Sequence, residues 1–183
     1  MRVIRPVPPD EVLTTFRRDH PPRRRHTANS NQSAVEALEL AGRAFGGWTE
    51  VRISRAEVLG VMLPWHTSEG GGFEVVPRTG RTVAEAVGFL RGRAGEMTRA
   101  NPVCAAKLDL FRDAPIGPVY LSTRPLPHSD YAGLPEGEGL VHLDGLHRML
   151  AWELAARLPK DTGVTAFVCG ALGTGSPAEG RGA

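Results

Sequence analysis

Residues 139–170 constrain the fold of this chain more than any other stretch. "GLVHL" (139–143) reads as a strand and stops at Asp144-Gly145. "LHRMLAWELAARL" (146–158) then carries Leu146, Leu150, Leu154 and Leu158 along one side, which predicts an amphipathic helix. "GVTAFVCG" (163–170) returns as a strand. A strand, a tight turn, a helix and a second strand in immediate succession call for a sheet with a helix packed on its face.

The rest of the chain supplies more of both element types. "PPDEVLTTFRRDH" (8–20) predicts a short helix, with prolines at its start and acids in its first turn. "HPPRRRH" (20–26) breaks it, and a second helix follows over about 32–45, capped by Asn29 to Asn31 and stopped at Gly46-Gly47. "WTEVRIS" (48–54) alternates as a strand does, and "GPVYLS" (117–122) reads as another. "FEVVP" reads as a short strand or an extended piece. Ser54–Glu57 and Thr82–Glu85 are capping-box pairs, the second heading a helix to about Arg99; Asn101-Pro102 restarts helix through "VCAAKLDLF". The expected fold class is therefore mixed α/β (α+β), a small sheet flanked by helices. Residues 1–47 are expected as a helical extension, 48–170 as the main domain, and 171–183, small and polar, as a disordered tail.

Composition excludes several classes. A chain of 183 residues with 41% hydrophobic content suits one globular domain. No stretch approaches the roughly 18 apolar residues of a membrane span, and "MRVIRPVPPDEVL" lacks the apolar core of a signal peptide. Cys104 and Cys169 fit no metal or redox spacing and are expected as free, buried thiols, so the chain is read as cytoplasmic. A formal charge of +2 is too weak a field for nucleic acid by itself, and the arginines at 17–25 and 91–99 have no aromatic platform beside them.

The turn at 144–148 poses an electrostatic question. A helix N-terminus is electropositive and presents unpaired N–H groups, so basic residues are least welcome there. The chain nevertheless puts His147 and Arg148 in that first turn. A bound anion answers it: Gly145 lets a ligand approach the backbone, the N–H groups from Leu146 onward point at it, Arg148 grips a phosphate in a fork, and His147 adds a pH-dependent donor. A ligand-free answer pairs Arg148 with Asp144 or Glu153 and leaves Asp144-Gly145 as a plain turn or an N-cap. His142 and Asp144 alternate along the strand and share a side. Facing a ligand, Asp144 is a general base or Mg2+ ligand with His142 as its helper; otherwise they are a cap beside a partly buried histidine.

Two loops add candidates. Segment 123–138 is long for a compact domain and carries Arg124, His128 and Asp130 as substrate contacts. "WHTSEGGG" (65–72) reads as a glycine-hinged lid or an ordinary loop, with His66 and Glu69 as its chemical groups. "PPRRRH" (21–26) reads as a basic arm or a solvated turn.

"VHLDGLHRMLAWELAARLP" resembles the signature segment of the ParB/sulfiredoxin-like superfamily, in which a G-x-H-R or G-x-R-R loop at a helix N-terminus holds nucleotide phosphates. "VRISRAEVL" (51–59) is similar to the family's opening strand and turn, "GPVYLS" to the strand before the phosphate loop, and "GVTAFVC" to the final strand. The likeness spans roughly 48–170. Leu146 stands where sulfiredoxins carry their reactive cysteine, which argues against sulfinic-acid repair, and no helix-turn-helix follows as in the partitioning proteins. What the resemblance implies is the third branch: compact bacterial proteins, often of specialised metabolism, that bind ATP or ADP with Mg2+ and phosphorylate a small molecule, as free-serine kinases do. Gly145, Leu146, His147 and Arg148 would then cradle phosphates. A nucleotide-responsive regulator without catalysis is the alternative, and a homodimer is left open.

Overall fold

The structure, a computed structural model, describes residues 1–20, 31–66, 72–135, 137 and 139–172. Glu69, the basic segment 21–26 and the tail beyond 172 lie outside those residues. Along the chain run β1 (Arg2–Val7), α1 (Pro9–Asp19), α2 (Asn31–Phe45), β2 (Trp48–Ile53), α3 (Arg55–Leu59), β3 (Met62–Leu63) and β4 (Arg81–Thr82). There follow α4 (Val83–Leu90), α5 (Ala94–Ala100), α6 (Pro102–Arg112), β5 (Val119–Ser122), β6 (Val141–Asp144), α7 (Leu146–Leu154) and β7 (Val164–Cys169).

The strands form one mixed sheet in the order β1-β2-β7-β5-β6-β3-β4. β5 runs parallel to β7 and β6 parallel to β3; the other neighbours are antiparallel. The expected α/β class is what the chain adopts. Period-two alternation splits the strands between two cores. Val51 and Ile53 of β2, Val119 and Leu121 of β5, and Val164, Ala166 and Val168 of β7 pack with Val58, Val87, Cys104, Met149 and Trp152 under α3–α7. Trp48, Tyr120, Leu143, Phe167 and Cys169 pack on the other side with Val12, Phe16 and Leu38 of α1 and α2. The sheet is thus sandwiched between helical layers.

Local signals explain most element starts. Both capping boxes form in full, Ser54 with Glu57 and Thr82 with Glu85. Pro9 opens α1, with Asp10 and Glu11 in its first turn and Arg17 and Arg18 in its last. Three elements depart from the sequence reading. The helix expected over 82–99 breaks into α4 and α5 around Gly92, whose φ of +79° an L side chain rarely adopts. α7 ends at Leu154 rather than 158, and "FEVVP" forms a single bridge, Val76 to His66, rather than a strand. Residues 1–47, read as helical, also contribute the edge strand β1, paired to β2 from Arg2↔Arg52 to Val7↔Trp48. No described helix is long and apolar enough to cross a membrane.

Candidate functional site

β3 and β6 run parallel, and the segments leaving their C-terminal ends, Pro64–His66 and Asp144–Arg148, line one cavity of about 450 Å3. Open α/β sheets bind ligands at this end of parallel strands. α2 supplies Ser33, Glu36 and Arg43 to the wall; α6 supplies Lys107 and Phe111. Of the six histidines in the chain, five line this cavity: His20, His66, His128, His142 and His147. Imidazoles are the side chains best suited to proton transfer near neutrality and to metal ligation, so gathering them in one place makes this the candidate site.

The floor is the 142–148 turn. Gly145 caps α7 with φ +113°, and a Cβ there would meet Val119 Cγ1 at 2.9 Å, so the turn requires glycine. Leu146 N–H donates to His142 Nε2 at 2.9 Å, while no side chain caps α7 from Gly145. His142 therefore works first as a cap. Accepting at Nε2 places its proton on Nδ1, which is buried without a partner among the described residues. Tyr131, from the 123–138 loop, donates its hydroxyl to the His142 carbonyl at 3.0 Å and ties that loop to β6.

Asp144 holds two basic side chains, Arg148 and His20. Its Oδ2 accepts from Arg148, one helical turn on, and stands 3.3 Å from His20 Nε2. His20 Nδ1 lies 2.8 Å from the Phe16 carbonyl. Burial alone would raise the Asp144 carboxyl, but the Arg148 charge and the His20 hydrogen bond outweigh it and hold the group well below the usual carboxylate range. Between the two carboxylates the sequence offers it, Arg148 pairs with Asp144 and not with Glu153. Glu153 instead takes a forked contact from Arg55 and lies 3.6 Å from Arg91. Mg2+ seeks oxygen ligands, and what surrounds the Asp144 carboxylate is a guanidinium and an imidazole. Asp144 therefore does not fit as a magnesium ligand.

Other candidates divide. His128 and Asp130 reach the cavity and bind one another, with Asp130 N–H donating to His128 Nδ1 at 3.3 Å and the side chains 3.5 Å apart. Arg124 does not reach it: its guanidinium lies 4.9 Å over the Phe45 ring, outside the lining. Where the start of α7 meets α6 and the segment after β3, the ligating atoms of His66, Cys104 and His147 lie within 4.8 Å of one another. Three participants escaped the sequence reading as site residues: His20, Cys104 and Lys107. Lys107 carried a signal, for it follows Cys104 by three positions and so shares the buried face of α6, where it is 4% exposed.

Acid should unsettle this floor. Burial lowers His142 to about 4, below its unfolded value near 6.5. The folded state keeps the ring neutral while the unfolded chain takes up a proton, so stability is complete above about pH 6.5 and falls as pH drops toward 4. Urea unfolding of the wild type across that window is expected to show a steeper loss than His142→Gln. Identical slopes would remove His142 as the source.

Over its whole length, residues 1–183, the sequence matches DUF6309, a family of unknown function, and the chain belongs to that family. No curated protein and no solved structure matches it.

Proposed function

We propose that this DUF6309 chain is a cytoplasmic enzyme whose cavity takes a phosphate-bearing small molecule, ATP or ADP first, and passes its phosphoryl group to a small metabolite. The observation that carries this reading is the first turn of α7, which opens into the cavity at Gly145, with His142 taking the Leu146 N–H, beside the buried side chain of Lys107. Backbone N–H groups at a helix start, a glycine that admits close approach and a nearby cation together suit a phosphate.

The nucleotide supplies the phosphoryl group when bound. The chain's own residues do the positioning. Asp144 and His20 fix the Arg148 guanidinium behind the turn, and Arg148 lines the cavity from that clamped position. His128 and Asp130, on the rim, are placed to meet the acceptor. Phosphoryl transfer asks a protein mainly for such positioning and charge stabilisation. One observation favours the non-catalytic alternative, a nucleotide-responsive regulator: the Asp144 carboxylate is engaged by Arg148 and His20 and is not poised as a general base.

Calorimetric titration with ATP, ADP, CTP and GTP, each with and without Mg2+, tests the reading. One nucleotide is expected to bind at one equivalent, and Lys107→Met to weaken it about 10- to 150-fold, the worth of a hydrogen bond to a charged group. Consumption of the bound nucleotide separates enzyme from regulator. If none of the four binds, the nucleotide reading fails.

A further inference from the structure

We propose that His66, Cys104 and His147 bind a divalent transition-metal ion, Zn2+ first, leaving a fourth coordination position open to the cavity. The three come from separate elements: His66 just after β3, Cys104 in the first turn of α6, His147 in the first turn of α7. Their ligating atoms lie within 4.8 Å of one another, with His66 Nε2 3.4 Å from Cys104 Sγ. In a tetrahedral zinc site, bonds of about 2.0–2.1 Å to nitrogen and about 2.3 Å to sulfur set donors about 3.5 Å apart. The His66–Cys104 pair already has that spacing. The His66 and His147 rings stand edge to face with centroids 5.1 Å apart, so a small side-chain rotation closes the third contact.

Two further observations point to a ligand here. His147 Nε2 is fully covered and has no hydrogen-bond partner among the described residues. Buried polar atoms are seldom left so, and a metal ion gives that nitrogen the partner it lacks. The scaffold is also fixed in advance. Buried Asn101 accepts from Cys104 N–H at 3.1 Å and donates to the Phe73 carbonyl at 3.2 Å, which locks the start of α6. His66 N–H donates to the Val76 carbonyl at 3.2 Å.

The donor set selects the metal. One thiolate and two imidazoles suit Zn2+ and its neighbours rather than Mg2+ or Ca2+. His66 and His147 line the cavity whereas Cys104 lies behind them, so the remaining coordination position faces outward. Three protein ligands with an open fourth position is the pattern of catalytic rather than structural zinc. Charge then indicates what fills it. The ion and the thiolate sum to one positive charge, and Lys107 shares the cavity. Water, hydroxide or an anionic oxygen of a bound small molecule suits that position, where the ion acts as a Lewis acid. This site does not depend on a nucleotide binding in the same cavity.

The test uses the full, untagged chain after treatment with a chelator, titrated with Co2+ and then Zn2+. One equivalent of Co2+ is expected to give the intense visible bands of a tetrahedral ion and a thiolate-to-cobalt charge-transfer band. Cys104→Ser should lose the charge-transfer band. His66→Gln and His147→Gln should each weaken Zn2+ by more than the roughly 10- to 100-fold that loss of an outer-shell partner costs. Circular dichroism without metal checks that each variant is folded, and His66, only half-buried, keeps the test open if the buried Cys104 variant fails to fold. No uptake, uptake without a thiolate band in the wild type, or unchanged affinity in both histidine variants overturns the proposal.

Discussion

A chain that starts at residue 48 is expected not to fold. Residues 1–47 supply Val7, Val12, Phe16, Leu38 and Ala41 to the core beneath α1 and α2. Burying a valine, leucine or phenylalanine is worth about 1.5–3 kcal/mol, so the first four alone contribute about 6–12 kcal/mol. That matches the whole net stability of an ordinary domain, about 5–15 kcal/mol. The deletion would also bare the residues these side chains cover, among them Tyr120, Leu143 and Phe167, and leave β2 as the sheet edge, paired only to β7. The expected result is loss of the near-ultraviolet dichroism and of a cooperative thermal transition, with binding of a hydrophobic dye. A cooperative melt in the truncated chain would make residues 1–47 an addition to a self-sufficient domain. The cavity would lose a wall in either case, because His20, Glu36 and Arg43 come from this region.

The sequence reads a boundary at 47/48 because nothing in it marks β1. "RVIRPV" is exposed at all but its last residue and contains a proline, so neither alternation nor a continuous apolar run marks it. What makes it a strand is β2 beside it, which no local pattern reports. Where local physics decides, the sequence was readable: the two capping boxes, the proline start of α1, and the strand, glycine turn and helix at 141–154. The site divides the same way. His142, Asp144, Gly145, His147 and Arg148 are neighbours in sequence and were found together. His66, Cys104 and His147 meet only because β3, α6 and α7 converge, and spacings of tens of residues carry no motif. Arg124 shows the converse. It sits in the right loop but turns away to stack on Phe45, a partner far off in sequence.

Asp144→Asn is expected to destabilise the protein by about 3 kcal/mol, the lower end of what breaking a buried ion pair costs. The substitution keeps the shape and removes the charge. It strands the Arg148 charge, 8% exposed, and removes the carboxylate beside His20, 6% exposed. For a chain of this size the thermal midpoint should fall by about 6–12 °C. The sign with pH follows from the depressed carboxyl. The pair's contribution is complete above the unfolded value near 3.9 and vanishes as acid protonates the folded group, so the variant and the wild type should converge in strong acid. A double-mutant cycle with Arg148→Met separates the pair from the rest of the site, because removing both members leaves neither charge of the pair unmatched and costs less than the two single changes combined. A loss below about 0.5 kcal/mol, the range of ordinary surface substitutions, would mean that the pair does not hold the turn together. Asp144 would then be available to a ligand, and the case for a catalytic carboxylate at the mouth of α7 would strengthen.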